Sequence, residues 1–467
     1  MDESTTTQVL AALWQGLGQA PELPASTLEH IQLTGPEHPL PSSFQVGPAA
    51  QASIAAAAAA ALQIYQLRSG SVQTATINSI CSGLECTAVF KINGEIPAQW
   101  APLSGLYRTA DGYVRIHANF DHHRDAALAS LNLPTGADTS RERVVERALD
   151  INSEDLDARI IDAGGASSVL RSFAQWDEHP QARALASLPL IEISKTGEAD
   201  PRPLPQIDKH TAPLQGVRVI DMTRILAGPI CGRTLAAYGA DVMLINSPHL
   251  PNIESIIDTS RGKRSAHADL NTRQGRSALD NLLRSSRVLV QGYRPGALAA
   301  HGLSAEALAD KYPGLITTSL SAYGRTGPWS ERRGFDSLVQ TATGFNIAEA
   351  QAFGESTPRA LPVQILDYAT GFLMAFATQV ALYKQAQEGG SWHVQLSLAR
   401  TGSWLRAMGQ SDSPLADSMP DIEPCLQPFP SAYGELEAIA HAAEFSATPV
   451  TWTTPSSPPG THAAQWE

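Results

Sequence analysis

The chain has 467 residues, enough for two or three domains of ordinary size. Hydrophobic residues make up 43% and charged residues 17%, which allows a sizeable core and excludes a disordered chain, a coiled coil and a disulfide-stapled miniprotein. The net charge of −13 repels phosphate over the surface as a whole, so the chain is a poor candidate for sequence-independent nucleic-acid binding and any anionic ligand needs a local cluster of cations.

Residues 1–7 are polar and acidic, with no basic stretch before an apolar run, so no secretory leader is expected. Val9, Leu10, Leu13 and Leu17 form a short amphipathic segment, and a Pro/Ser-rich stretch occupies 21–43. The alanine run predicts a helix over 49–67, because alanine has the highest helix propensity. Its apolar part, 52–62, is too short to span a bilayer. Ser69-Gly70-Ser71 ends this helix, and a strand is expected over 72–77. Asp111-Gly112, between Leu106-Tyr107-Arg108 and Tyr113-Val114-Arg115-Ile116, is a hairpin signal. Helices are expected over 141–149, 153–163 and 166–173. Pro201, Pro203, Pro205 and Pro213 mark a linker.

From residue 216 short strands alternate with helices. The strands are expected over 217–222, 241–245, 288–291 and 315–320, the helices over 229–238, 273–283 and 305–311. This pattern predicts an α/β fold with a doubly wound parallel sheet. A long apolar helix over 368–385 stops at Gly389-Gly390, a strand follows over 392–398, and the Pro/Ser/Thr-rich tail is expected to wrap the surface. Cys81, Cys86, Cys231 and Cys425 show no zinc spacing and read as reduced thiols of a cytoplasmic protein.

The chain also repeats itself. Residues 45–50 align with 364–369 at an offset of 319, and the same offset places Gly70 on Gly389, Ser71 on Gly390 and Ile77 on Leu396 without a gap. An alanine-rich helix agrees with many helices by composition alone. The shared glutamine, the shared glycine and the missing gap favour an ancient duplication. The first copy has Pro48 where the second has Asp367, so it lacks that carboxylate and reads as a truncated, non-catalytic half. The expected division is a first-copy remnant over 1–90, a small domain over 91–200, a linker over 201–215, a large domain over 216–405 and a wrapping tail over 406–467.

Ligands of an open parallel sheet bind beyond the carboxyl ends of its strands. Thr223-Arg224 with Ala227-Gly228-Pro229, then Gly292-Tyr293-Arg294-Pro295-Gly296, then Tyr323-Gly324-Arg325 follow three of these strands. Arg261-Gly262-Lys263-Arg264 lies just before another apolar element. Arginine suits bidentate phosphate contact, and helix starts add free N–H groups. Any one surface loop carries Arg and Gly readily; several on one edge of an acidic protein point to a polyphosphate ligand. The first strand–helix turn lacks G-x-G-x-x-G, which argues against a plain dinucleotide fold. Asp367, opening the apolar helix, reads equally as an N-cap and as a nucleophile. Arg332-Arg333 reads equally as a solvated pair and as a reach to a diphosphate. His117, His122 and His123 near Asp121 have no further ligand at fixed spacing, so no metal is expected.

At these residues the chain resembles the family III CoA-transferases, the L-carnitine dehydratase/bile-acid-inducible protein F (CaiB/BaiF) family. The likeness rests on Pro213-Leu214-x-Gly216-Val217-Arg218-Val219-Ile220-Asp221, Thr223-Arg224 with Ala227-Gly228-Pro229, and Gly262-Lys263-Arg264-Ser265. It continues through Tyr293-Arg294-Pro295-Gly296, Tyr323-Gly324-x-Thr326-Gly327-Pro328 and Gly334-Phe335-Asp336-x-x-x-Gln340. Residues 104–205 resemble the family's small domain, which normally follows the Rossmann half and here precedes it. The family commonly has Lys-x-Glu where this chain has Leu244-Ile245-Asn246, and no glycine-rich loop follows Asp367.

The resemblance implies a Rossmann-like large domain with a smaller α/β domain. It implies a transferase moving CoA from an acyl-CoA to a small carboxylic acid through an aspartyl intermediate on Asp367, with no permanently bound cofactor. Arg224, Ala227, Lys263, Arg264, Gly292, Tyr293, Arg294, Gly296 and Arg333 would line the coenzyme A site. It implies a cytoplasmic enzyme without nucleic-acid or membrane partners, built as an intrachain pseudo-dimer or a homodimer. Two alternatives stand beside it. A 2-methylacyl-CoA racemase or epimerase shares the fold, but such racemases carry Gly-His-Asp where this chain has Gly334-Phe335-Asp336, and phenylalanine moves no proton. A non-catalytic CoA-binding subunit would suit a chain with one degenerate half.

Overall fold

Seven strands form the main sheet: β1 (Glu192–Gly197), β2 (Arg218–Met222), β3 (Asp241–Asn246), β4 (Lys263–His267), β5 (Val288–Gln291), β6 (Ile316–Ser321) and β7 (Ser391–Ser397). They lie in the order β4-β3-β2-β5-β6-β7-β1. Strands β2 to β7 are parallel, and β1 closes one edge antiparallel to β7. The parallel part follows the doubly wound order 3-2-1-4-5-6, which puts its switch point between β2 and β5. Helices cover both faces, so the central strands are buried almost continuously: Val219, Ile220, Val288, Leu289 and Val290 are fully buried. The computed structural model describes residues 5–16, 24–411 and 416–467; Leu17 and the start of the Pro/Ser stretch lie outside them.

The doubly wound parallel sheet expected from the alternation is present, with β2, β3, β5, β6 and β7 at their expected places. Two strands were not expected. β1 comes from residues assigned to the small domain, and it is a half-buried edge strand whose polar residues carry no strong apolar alternation. β4 reads Lys-Arg-Ser-Ala-His, which has no strand signal; pairing with β3 makes it one. The helix expected over 166–173 is not formed. Ser167–Val169 is instead a buried strand that pairs with Tyr113–Ile116, which in turn pairs with Gly105–Arg108 across Asp111-Gly112. A separate helix, Phe173–Glu178, starts at a Ser172–Gln175 capping box.

Two long helices, Val46–Ser69 and Ile365–Glu388, pack against each other at the centre of the chain. Each has 24 residues and extends three residues beyond its expected start. Pro48 fits the first turn of the former, where its missing N–H has no intrahelical partner to lose. The two helices have bounds that differ by the sequence offset of 319, and each ends with a glycine N–H bonded to a glutamine carbonyl. The correspondence continues beyond them: Asn78 accepts the Cys81 N–H and Ser397 accepts the Arg400 N–H, each capping the next helix at the same offset. Ile365–Glu388 is long and apolar enough to cross a membrane by length and composition, but it is buried throughout within the protein. It crosses the helix Ala227–Ala237 at Gly371, where a Cβ would stand 2.5 Å from the Ala227 carbonyl oxygen.

The tail is tied back to the first half. Ala443–Phe445 pairs with Ala75–Asn78, and Leu436–Ile439 pairs with Phe90–Ile92. Cys81 and Cys425 are joined as a disulfide across a sequence separation of 344, which corrects the expectation of four reduced thiols. No spacing rule reaches across such a separation; only the tertiary fold brings the two together. Cys86 and Cys231 remain free and buried.

Candidate active site

Loops at the carboxyl ends of β2, β5 and β6 surround the switch point. After β2, Thr223 turns sharply: its N–H donates to the Asp221 carboxylate at 3.0 Å, and its hydroxyl bonds the same oxygen. Ile225 then sits at φ 76°, a left-handed conformation that a β-branched residue rarely adopts. Such strain costs about 1–3 kcal/mol and concentrates at functional sites. The helix Ala227–Ala237 starts directly afterwards, with its amino end towards the site.

A cavity of about 330 Å³ opens here, lined by Arg224, Ala227, Gly292, Tyr293, Arg294 and Arg333 among others. Arg294 makes no ion pair among the described residues. The Arg333 guanidinium donates to the Gly164 carbonyl at 2.8 Å. Arg224 lies over the Phe120 ring and donates to the Pro251 carbonyl, while its buried Nε has no partner. Arg332 also reaches the cavity wall but is held by Asp157 at 2.7 Å, so of the Arg332-Arg333 pair it is Arg333 that is left for a ligand. Among the described residues, the only carboxyl lining this cavity is that of Asp367. An acidic protein has therefore gathered guanidinium groups and a helix start around one space, which suits a polyphosphate.

Three expected coenzyme-site residues lie elsewhere. Lys263 and Arg264 begin β4 and so sit at the amino end of the sheet, opposite the cavity. Lys263 is fully buried, paired with Asp221 at 2.8 Å, and its ammonium also donates to the Pro229 carbonyl. It supports the Thr223 turn through Asp221 instead of meeting a ligand. Arg264 is bound by Asp241 at 2.6 Å. Gly296 lines a neighbouring cavity shared with Arg294 and Arg325.

Asp367 lies in the first turn of Ile365–Glu388, buried to 7% exposure. Its backbone N–H donates to the Asp336 carboxylate at 3.0 Å. Asp336 also accepts the Gln340 side-chain amide, whose oxygen accepts the Leu361 N–H at 3.0 Å. Burial pushes the Asp336 carboxyl up to about 6, although the hydrogen bonds from Asp367 and Gln340 pull the other way. Burial, and then the neighbouring Asp336 charge, raise Asp367 well above the usual carboxylate range.

A second cavity, of about 490 Å³, lies on the other side of Asp367, and Ile225, Leu226, Phe335 and Asp367 line both. Residues 97–102 and His117 close it from the small domain. The His117 ring stacks on Phe335 with centroids 3.7 Å apart, and burial holds its pKa down to about 3. The strained Ile225, the His117–Phe335 stack and the 97–102 wall were not found from the sequence. None has a local signature; each depends on contacts between distant segments.

Residues 214–417 match CoA-transferase family III. The chain is 28% identical over 315 residues to an acyl-CoA transferase of Gibberella moniliformis, covering 63% of this chain and 55% of the relative. It is 32% identical over 251 residues to a succinate--glutarate CoA-transferase of Agrobacterium fabrum, covering 48% and 62%. A solved CAIB/BAIF family protein from Brucella suis is 28% identical, covers 48% of this chain and 65% of its own, and superposes with a TM-score of 0.38. The chain spans less than two thirds of the length of these two transferases. Over residues 214–417 the chain is therefore similar to CoA-transferase family III.

Proposed function

We propose that this protein transfers coenzyme A from an acyl-CoA to a carboxylic acid, with Asp367 as the nucleophile. The observation that carries the reading is the position of Asp367, buried between an arginine-lined cavity and a second cavity that no lysine or arginine lines among the described residues. Arg224, Arg294 and Arg333 would hold the coenzyme's phosphates. An Asp367 oxygen attacks the thioester carbonyl, the C–S bond breaks, and a mixed anhydride and CoA thiolate result. The thiolate attacks the aspartyl carbonyl and expels the donor acid, leaving an aspartyl-CoA thioester. The acceptor carboxylate repeats the exchange in reverse and restores Asp367. Thioester energy is conserved at every step, so no external energy source is needed.

Incubation with an acyl-CoA, then hydroxylamine, then peptide mass spectrometry tests this: a hydroxamate at Asp367 is expected. Exchange of CoA between esters with no adduct on Asp367 would overturn the aspartyl route. The nucleophile must be ionised, so the rate should rise with pH through the raised pKa of the Asp336–Asp367 pair. Asp336→Asn removes the like charge that holds Asp367 up, and it should move the acid limb of the pH–rate profile to lower pH. The limb should stay above the ordinary carboxylate range, because burial is the larger cause. An unmoved limb would show that Asp336 does not act on Asp367.

We further infer that residues 45–78 and 364–397 are two copies of one unit, the first of them truncated, and that the chain imitates a dimer within one polypeptide. The matching helix bounds, glycine ends and N-caps support this. Light scattering should give the mass of a single chain; a tight dimer of full chains would contradict it.

A further inference from the structure

We propose that the cavity on the small-domain side of Asp367 holds the tail of the transferred acid and selects uncharged, apolar tails over those ending in a second carboxylate. This rests on the transferase reading. An acyl-CoA whose phosphates lie on the arginines brings its thioester to Asp367, and its tail then enters the remaining space. That space, about 490 Å³, has the size of a small-molecule site. Phe90, Pro97, Trp100, Ile225 and Phe335 supply apolar wall, and the stacked His117 fixes the Phe335 ring.

Charge decides the selection. Among the described residues no lysine or arginine lines this cavity, and its charged groups are the carboxyls of Glu254, Asp336 and Asp367. Arg115 lies over the Trp100 ring, 5.2 Å from its centroid, and does not line the cavity. A second carboxylate carried in on the tail would lose water, find no counter-ion and face Glu254. Burying a charge without a partner is costly, and a wall that imposes that cost rejects one class of ligand without tightening on the other. An apolar tail loses nothing polar and gains from leaving water.

Dethia ketone analogues of the esters, in which a methylene replaces the thioester sulfur, cannot be transferred and measure this on the unaltered full chain by calorimetry. Hexanoyl-dethia-CoA should bind about tenfold or more tighter than CoA itself, and glutaryl-dethia-CoA no tighter than CoA. Glu254 is exposed, so Glu254→Lys should fold normally. It should improve the glutaryl analogue by about threefold or more and leave the hexanoyl analogue within about twofold. Equal binding of the two analogues, a hexanoyl analogue no tighter than CoA, or no binding of either would overturn the proposal. Failure of the transferase reading shows separately, as a missing Asp367 hydroxamate with every thioester while the analogues still discriminate.

Discussion

Asp367→Asn is expected to lower CoA transfer by at least about a thousandfold, because it removes the proposed nucleophile. The amide is nearly isosteric, and the backbone N–H of residue 367 still reaches the Asp336 carboxylate. Folding should not suffer. A carboxyl whose pKa is raised in the folded state weakens the fold at neutral pH relative to acid pH, since the unfolded chain ionises more easily. Removing that carboxyl leaves the melting temperature unchanged or higher. CoA binding should also persist, because Arg224, Arg294 and Arg333 are untouched. The decisive combination is lost exchange with retained CoA binding and melting. A variant that keeps more than about a tenth of the exchange rate would remove Asp367 from the reaction.

Arg233→Met is expected to cost about 3–5 kcal/mol of stability, the largest structural effect of any single change considered. Arg233 is 1% exposed and sits between Glu85, at 2.8 Å, and Asp258. Asp258 also holds Arg261 at 2.5 Å, and Arg261 donates to the Ile439 carbonyl at 3.1 Å. The cluster thus ties Glu85, the Arg233–Arg261 region and the strand Leu436–Ile439 together. Without Arg233, Asp258 keeps Arg261, but Glu85 keeps only the Ala442 N–H and His441, 3.9 Å away. Burial keeps the His441 pKa low, so it is a poor counter-ion. The cost therefore comes mainly from an uncompensated buried carboxylate. Adding Glu85→Gln should recover part of the loss, as expected for partners in one network. Thermal and denaturant midpoints measure both variants; a change in melting temperature below about 2 °C for Arg233→Met would show that the cluster carries little. The Arg233 guanidinium also lies 5.9 Å from the ring of Tyr368, the neighbour of Asp367.

The contrast between the expected residues that line the cavity and those that lie elsewhere is physical. Arg224, Gly292, Tyr293 and Arg294 follow strands whose apolar runs are local and strong, so the rule that ligands bind beyond carboxyl ends located them. Asp367 could be placed at a helix start because composition marks that helix. Lys263 and Arg264 were misplaced because β4 has no apolar pattern of its own, and without that strand its two ends cannot be told apart. The same limit hid β1, the strand Ser167–Val169 and the Cys81–Cys425 disulfide.

Composition and charge alone required that anions be met by a confined cationic patch, and periodicity alone determined the parallel α/β half and the two long helices. These are local properties: propensity, alternation and helix capping act over a few residues. The tertiary structure decided which cations form the patch and which carboxyl faces it. It also placed behind Asp367 a second cavity that no lysine or arginine lines among the described residues. Those outcomes depend on burial and on contacts between segments hundreds of residues apart, where pairing and solvent exclusion override what each segment prefers by itself.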